Sequence, residues 1–192
     1  DAQKRNGDAF PLGNYGAGLG ARSGNKEGGL GSASLDLGEG LIVGALVAVN
    51  SVGSVYMPDG KTFWAQPFSY GDEIGGQKAN PDQEPVMQPI PDDAKLRGMT
   101  PGTNTTIGVI ATSAKLTTAE CKRIAMMAHD GFARAIRPVH TLSDGDTIFC
   151  ISGGTKEIPE GPARSSWLSE IGSAAADTMA RAVARGVYEA QK

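Results

Sequence analysis

The spacing of apolar positions predicts a strand–helix–strand–helix order in the C-terminal half of the chain. Residues 106–112 and 146–152 are apolar, β-branched runs typical of buried strands. Between them, residues 117–120 (TTAE) have the sequence of a capping box, which begins a helix, and Pro138 ends it. The helix has one apolar face, formed by Cys121, Ile124, Ala125, Ala128, Phe132 and Ile136.

A second amphipathic helix is predicted from Ser166 to about Tyr188. Its apolar stripe consists of Leu168, Ile171, Ala175, Met179 and Ala182. Strands this apolar must be covered by helices, so the pattern predicts a layered α/β sandwich.

The N-terminal half has a different character. Fourteen of the 27 glycines lie in residues 1–60, which indicates turns and close backbone approaches. Within it, residues 41–56 predict a buried strand that is interrupted near Asn50 and resumes at Val52. Residues 57–104 hold seven of the 11 prolines and no sustained period, which predicts a long loop or linker.

Composition narrows the class of protein. A chain of 192 residues fits a single domain, 1–192, and its net charge of −3 without a Lys/Arg cluster argues against nucleic acid as a partner. An apolar run of the ~18 residues that a membrane span needs is absent from the sequence, and so is a signal-peptide pattern. With two cysteines and no CxxC motif, the expected compartment is the reducing cytoplasm.

Thr105 is the first candidate for chemistry, because it stands at the start of a predicted strand directly after a turn-prone run. An ordinary strand threonine is one interpretation. If the chain is cut between Asn104 and Thr105, however, one residue holds a hydroxyl and an α-amine that titrates near ~8 and can take the hydroxyl proton. Thr106 is the alternative new N-terminus.

Two further positions carry candidate polar groups. Asp144-Gly145-Asp146 either forms a turn before a strand or brings two carboxylates to one site. Asn50, an amide within an apolar run, either satisfies its hydrogen bonds at a strand bend or directs its NH₂ at a developing oxyanion.

Other kinds of site are not supported. Residues 16–21 match a dinucleotide fingerprint but lack the strand before it and the helix after it. His129 and His140 have no carboxylate at a triad spacing, and there is no GxSxG elbow or cluster of metal ligands.

The chain resembles the DmpA-type peptidases, the L-aminopeptidase D-Ala-esterase/amidase family, and within it the nylon-oligomer hydrolase branch. The matching segments are GAGLG at 16–20, GGLGSAS at 28–34, VGALVAVNSVG at 43–53, NTTIGVIAT at 104–112, AHDGFARAIRPVHT at 128–141 and DGD at 144–146. The resemblance implies an αββα sandwich of the N-terminal-nucleophile type. The family carries a further segment upstream of the glycine-rich run, so this chain is expected to supply an incomplete portion of that sandwich.

The resemblance also implies a self-cleaving amide or peptide hydrolase and a role for each matching residue. Cleavage would separate 1–104 from 105–192 and leave Thr105 as the N-terminal nucleophile, with Asn104 before the cut. Asn50 matches the oxyanion residue, Asp144 and Asp146 match the acidic pair that orients the nucleophile or binds a substrate ammonium, and Lys26 is the counterpart of the branch's lysine. Expected substrates are aminopeptides, amino-acid amides or nylon-like oligoamides.

No cofactor is implied, and a homo-oligomer of four or more protomers is expected. The alternative is an uncleaved, non-catalytic paralogue or structural assembly protein with the same fold.

Overall fold

A four-stranded mixed sheet is the centre of the fold. The computed structural model describes residues 10–78, 86–95 and 104–192. Its strands are β1 (Arg22–Ser23), β2 (Lys26–Glu27), β3 (Gly29–Asp36), β4 (Ile42–Val49), β5 (Ile107–Ala114) and β6 (Thr147–Lys156). The short β1 and β2 pair with each other, whereas the main sheet has the order β3-β4-β5-β6. β4 runs antiparallel to both β3 and β5, and β6 runs parallel to β5.

Two α-helices follow the predicted order, α1 (Thr118–Ala135) between β5 and β6, and α2 (Pro162–Ala190) after β6. The predicted capping box is present, because the Thr117 side chain accepts from the Glu120 N–H while the Thr117 N–H donates to the Glu120 carboxylate. α2 begins four residues earlier than its apolar stripe indicates, since Pro162 suits the first turn of a helix, where its missing N–H is not needed. Neither helix in the described part of the chain combines the length and apolarity needed to cross a bilayer.

Both helices pack against one face of the sheet, and no described helix or strand covers the opposite face. On β4 and β5, alternate side chains such as Val43, Val47 and Ile110 are buried beneath the helices. The other face exposes large apolar side chains to between 39% and 59%, namely Ile42, Leu46, Ile107, Phe149 and Ile151. The described residues therefore form one helical layer and one sheet layer. This is a portion of an αββα sandwich, as expected.

Strand β3, which was not predicted, lies in the segment where glycine content indicated turns and close backbone approaches. Its glycines allow a close approach to α2, because a Cβ at Gly31 would collide with the Ala182 carbonyl oxygen and one at Gly29 with that of Gly186. Glycine thus brings two backbones together here while the strand pairs with β4 along its length.

The apolar run after Asn50 does not continue as a strand. In its place the structure has isolated bridges that pair Ser54 with Arg137 and Tyr56 with Phe63. The Pro-rich region adds to the core where it is described, since Phe63 and Ile74 are each 1% exposed. The rest of the predicted 57–104 loop, residues 79–85 and 96–103, lies outside the described residues.

Candidate active site

Three strand ends meet at one edge of the sheet and bring most of the predicted site residues together. Asn50 directly follows β4, Thr105 precedes β5, and the Asp144–Asp146 turn precedes β6. Because β4 is antiparallel to β5 and β6 is parallel to it, the end of β4 and the starts of β5 and β6 lie side by side. Asn104 and Asp144 continue the parallel pairing as an isolated bridge.

Thr105 is held on both sides by backbone hydrogen bonds. Its N–H donates to the Asn50 carbonyl oxygen at 2.9 Å. Its hydroxyl donates to the Asn104 carbonyl oxygen at 2.7 Å, and the Gly145 N–H donates to the same oxygen at 3.0 Å. The carbonyl of the Asn104–Thr105 peptide is therefore polarised by two donors, one of which is the hydroxyl of the candidate nucleophile.

Thr106 is in a different environment. It is fully buried, and within the described part of the chain its hydroxyl has no hydrogen-bond partner. Its N–H donates to Oδ1 of Asp146 at 2.9 Å. The hydroxyl next to the candidate scissile carbonyl is thus that of Thr105.

The two carboxylates tie neighbouring segments to this edge. Asp144 accepts from the Val52 N–H at 3.1 Å, the Thr141 N–H at 2.9 Å and the Thr141 hydroxyl at 2.8 Å. Asp146, whose side chain is 2% exposed, accepts from the Thr106 N–H and from Nδ1 of His140, each at 2.9 Å. Since charge-assisted hydrogen bonds are the strong ones, these contacts make the pair suited to positioning.

The Asn50 side chain is oriented by a backbone group. Its Oδ1 accepts from the Arg22 N–H at 3.0 Å, which makes the NH₂ group the donor end of the amide. The Arg22 carbonyl in turn accepts from Nζ of Lys95 at 3.0 Å. Burial, reinforced by the charge of Arg22 and opposed by Asp144, lowers the pKa of Lys95 from 10.5 to about 8.

Lys95 is a candidate that sequence reasoning missed. It lies in the Pro-rich region, where no periodicity or motif marks it. Lys26, the residue that the resemblance suggested, is exposed in β2, where it pairs with Ser23. It lines two surface clefts, and neither contains another of the predicted site residues.

An open cleft of about 790 Å³ lies beside the carboxylates. Its lining comes from α1 and from residues 140–147, and consists of Met126, His129, His140, Thr141, Asp144, Gly145, Asp146 and Thr147. His140 contacts Asp146, and Nδ1 of His129 lies 3.2 Å from Nε2 of His140. His140 and Asp146 are only six residues apart in the sequence, but the pattern of a catalytic triad does not include this spacing. Across the described residues, no three His, Cys, Asp or Glu side chains are grouped so that they could hold a metal ion.

Comparison with known proteins identifies the family of this chain. Its sequence matches the profile of peptidase family S58 over residues 1–192. The chain belongs to this family. It is 42% identical to an uncharacterized aminopeptidase of Mycobacterium leprae over 187 residues, which cover 94% of this chain and 49% of the relative. It is 28% identical to the 6-aminohexanoate-oligomer endohydrolase of an Agromyces strain, covering 91% of this chain and 48% of that protein.

Solved structures give the same fold. The L-aminopeptidase D-Ala-esterase/amidase of Ochrobactrum anthropi, described as a variant of the Ntn hydrolase fold, superposes with a TM-score of 0.59 at 23% identity. That match covers 92% of this chain and 44% of that chain. A β-aminopeptidase of a Burkholderia species gives a TM-score of 0.58 at 25% identity, covering 92% and 46%. The predicted DmpA-type fold is confirmed. The chain spans about half the length of the curated relatives it matches.

Proposed function

We propose that this chain carries the catalytic centre of an amide or peptide hydrolase that is activated by cleavage between Asn104 and Thr105. The observation that carries the proposal is the Thr105 hydroxyl against the Asn104 carbonyl oxygen, at 2.7 Å, with the Gly145 N–H on the same oxygen. A nucleophile and a polarising donor at one carbonyl are the groups that acyl transfer needs.

In self-cleavage, Oγ1 of Thr105 attacks the Asn104 carbonyl carbon and the C–N bond breaks. The Thr105 nitrogen takes the hydroxyl proton, which leaves Asn104 as an ester on Oγ1. Water then hydrolyses the ester to an Asn104 carboxylate and a free Thr105 hydroxyl. Fragments 1–104 and 105–192 stay associated, because β4 belongs to the first, β5 to the second, and the two strands are paired.

In turnover, the freed Thr105 amine is the base that takes the proton from its own hydroxyl. The Asn50 carbonyl, which already accepts from the Thr105 nitrogen at 2.9 Å, keeps the amine in place. The Asn50 NH₂ stabilises the tetrahedral oxyanion, an interaction worth about 3–4 kcal/mol where such a donor has been removed. Asp144 and Asp146 position the surrounding backbone, since their oxygens already accept from protein donors.

A lysine assists the base, and two are candidates. The resemblance suggests Lys26, whereas the structure favours Lys95, whose pKa of about 8 leaves much of it neutral near pH 8. Lys95 and Asn50 also contact the backbone of the same residue, since Lys95 donates to the Arg22 carbonyl and Asn50 accepts from the Arg22 N–H.

The substrate class follows from the relatives' names. Aminopeptidases and 6-aminohexanoate-oligomer hydrolases both cleave amides, so we infer that a small peptide, amino-acid amide or oligoamide is the substrate. A cytoplasmic location remains a prediction that the low cysteine count supports. A homo-oligomer remains a prediction that the resemblance supports.

Intact mass under denaturing conditions tests the proposal. We expect two species whose masses sum to the full chain plus one water, one of them beginning at Thr105. Thr105→Ala should give a single uncut mass, and Thr106→Ala, the matched control, should still be cut at the same bond. Cleavage of Thr105→Ala, or a new N-terminus at Thr106, would exclude the assignment. A wild-type chain that stays whole would favour the uncleaved, non-catalytic alternative.

A further inference from the structure

Two histidines and a carboxylate form a chain of hydrogen bonds that ends beside the nucleophile. Nδ1 of His129 lies 3.2 Å from Nε2 of His140, and Nδ1 of His140 lies 2.9 Å from Oδ2 of Asp146. Oδ1 of Asp146 accepts from the Thr106 N–H at 2.9 Å. These hydrogen bonds therefore connect the open cleft to the peptide group between Thr105 and Thr106.

The hydrogen bonds determine where the ring protons lie when both histidines are neutral. An ionised carboxylate only accepts, so Nδ1 of His140 carries a proton and its Nε2 is the acceptor. Nδ1 of His129 must then supply the proton between the two rings. Both rings are thus Nδ1–H tautomers, because the bond at one ring nitrogen sets the state of the other.

The surroundings support a neutral His129. Burial, and then the charge of His140, lower its pKa, although Asp146 and Asp130 oppose the shift. The Phe132 ring meets His129 edge-on and lies 6.1 Å from His140, so the pair also rests on an apolar surface.

We propose that His140 is a positioning residue for Thr105. It holds Asp146 in the orientation that binds the Thr106 N–H, and His129 holds His140 in the tautomer that can do so. The effect on cleavage rests on the proposed function, whereas the hydrogen-bond chain itself does not.

Two substitutions separate hydrogen bonding from packing without straining the backbone. His140 lies in the left-handed region, at φ 54°, which asparagine and glycine tolerate. In His140→Asn the amide nitrogen takes the place of Nδ1 and can still donate to Asp146, but most of the ring is lost. In His140→Gly both the ring and the donor are lost. A positioning role predicts that Asn is the milder change, whereas a packing role of the ring predicts equal effects.

The first measurement uses the Thr105→Ala chain, which is uncut whether or not the proposed function holds. Histidine ¹⁵N spectra of the neutral rings should show Nδ1–H tautomers for His129 and His140. Hydrogen exchange of the Thr106 amide should accelerate by about tenfold or more with His140→Gly and change by less than about threefold with His140→Asn. An Nε2–H tautomer at His140, or equal exchange in the Asn and Gly variants, would overturn the inference.

The second measurement follows self-cleavage with Thr105 intact. We expect cleavage to slow by about tenfold or more with His140→Gly and to recover most of its rate with His140→Asn. Glu157→Gln is the control, because it breaks an exposed ion pair with Lys115 outside these hydrogen bonds and should change neither readout. Equal rates for Gly and Asn would refute the positioning role. If no variant is cleaved, the exchange and tautomer results still decide whether the hydrogen-bond chain exists.

Discussion

Replacing Gly145 with alanine tests the placement of the Thr105 hydroxyl directly. A Cβ at Gly145 would lie 2.6 Å from Oγ1 of Thr105, and its next nearest atom would be the Thr105 methyl carbon at 3.5 Å. The backbone of Gly145 is outside the left-handed region, so alanine brings no strain of its own. The substitution therefore acts on the hydroxyl.

The expected effect follows from the size of the overlap. Ordinary contact begins at about 3.4 Å, so the hydroxyl or the turn must move by about 0.8 Å. A misplacement of about 1 Å costs roughly 10²-fold in rate, because the reacting atoms leave the near-attack geometry. We expect self-cleavage to slow by about 10²-fold, with at most about 1–3 kcal/mol lost from the free energy of unfolding through overpacking.

The assay is a time course of intact mass after purification, with thermal unfolding followed in parallel. Gly44→Ala is the matched control, since a Cβ there meets its nearest atoms at 3.9 Å and its backbone is likewise unstrained. Gly44→Ala should be cut at the wild-type rate. A Gly145→Ala chain that is cut as fast as wild type would show that the hydroxyl does not act from the position described here.

Two further predictions concern Lys95 and Glu120. Lys95→Ala should lower turnover near pH 8 by about 10²-fold, because the amine with a pKa of about 8 that assists the Thr105 base is lost. Lys26→Ala, which removes an exposed side chain, should have a small effect, and a larger loss with Lys26→Ala would return the role to that residue. Hydrogen bonds from Arg164, at 2.6 and 3.0 Å, lower the pKa of Glu120 from 4.5 to about 2. Because this pKa is lower in the folded state than in the unfolded state, the Glu120 carboxylate stabilises the fold above pH 4.5, and this stabilisation is lost as pH falls towards 2. In denaturant titrations, Glu120→Gln should lower the free energy of unfolding by about 1.5–3 kcal/mol at pH 7, and by progressively less below pH 4.5. A loss of unfolding free energy that does not change with pH would contradict this reasoning.

Local patterns were sufficient for the elements around the site. The capping box at Thr117 and the helical spacing after it predicted α1, and the β-branched runs predicted β5 and β6. These features are local because a helix cap or a strand depends mainly on residues within a few positions. Glycine was ambiguous, since turns and close packing both favour it, and β3 was missed for that reason.

Some residues of the candidate site could likewise be predicted from the sequence, and others could not. A candidate nucleophile, oxyanion amide and acidic pair could be proposed from the sequence because strand ends and a family resemblance marked Thr105, Asn50, Asp144 and Asp146. Lys95 could not be proposed, because its pKa depends on burial that no local pattern records. His140 was set aside, because only the folded turn shows that its ring reaches the Asp146 carboxylate.

The sequence by itself determined α1, β5 and β6, the existence of a second helix, and which side chains could react. Only the tertiary structure decided that the end of β4 and the starts of β5 and β6 lie at one edge, with the Gly145 N–H and the Thr105 hydroxyl on one carbonyl. The reason is physical. Strand pairing sets register over tens of residues, and a catalytic geometry exists only once that register brings separate turns within hydrogen-bond distance.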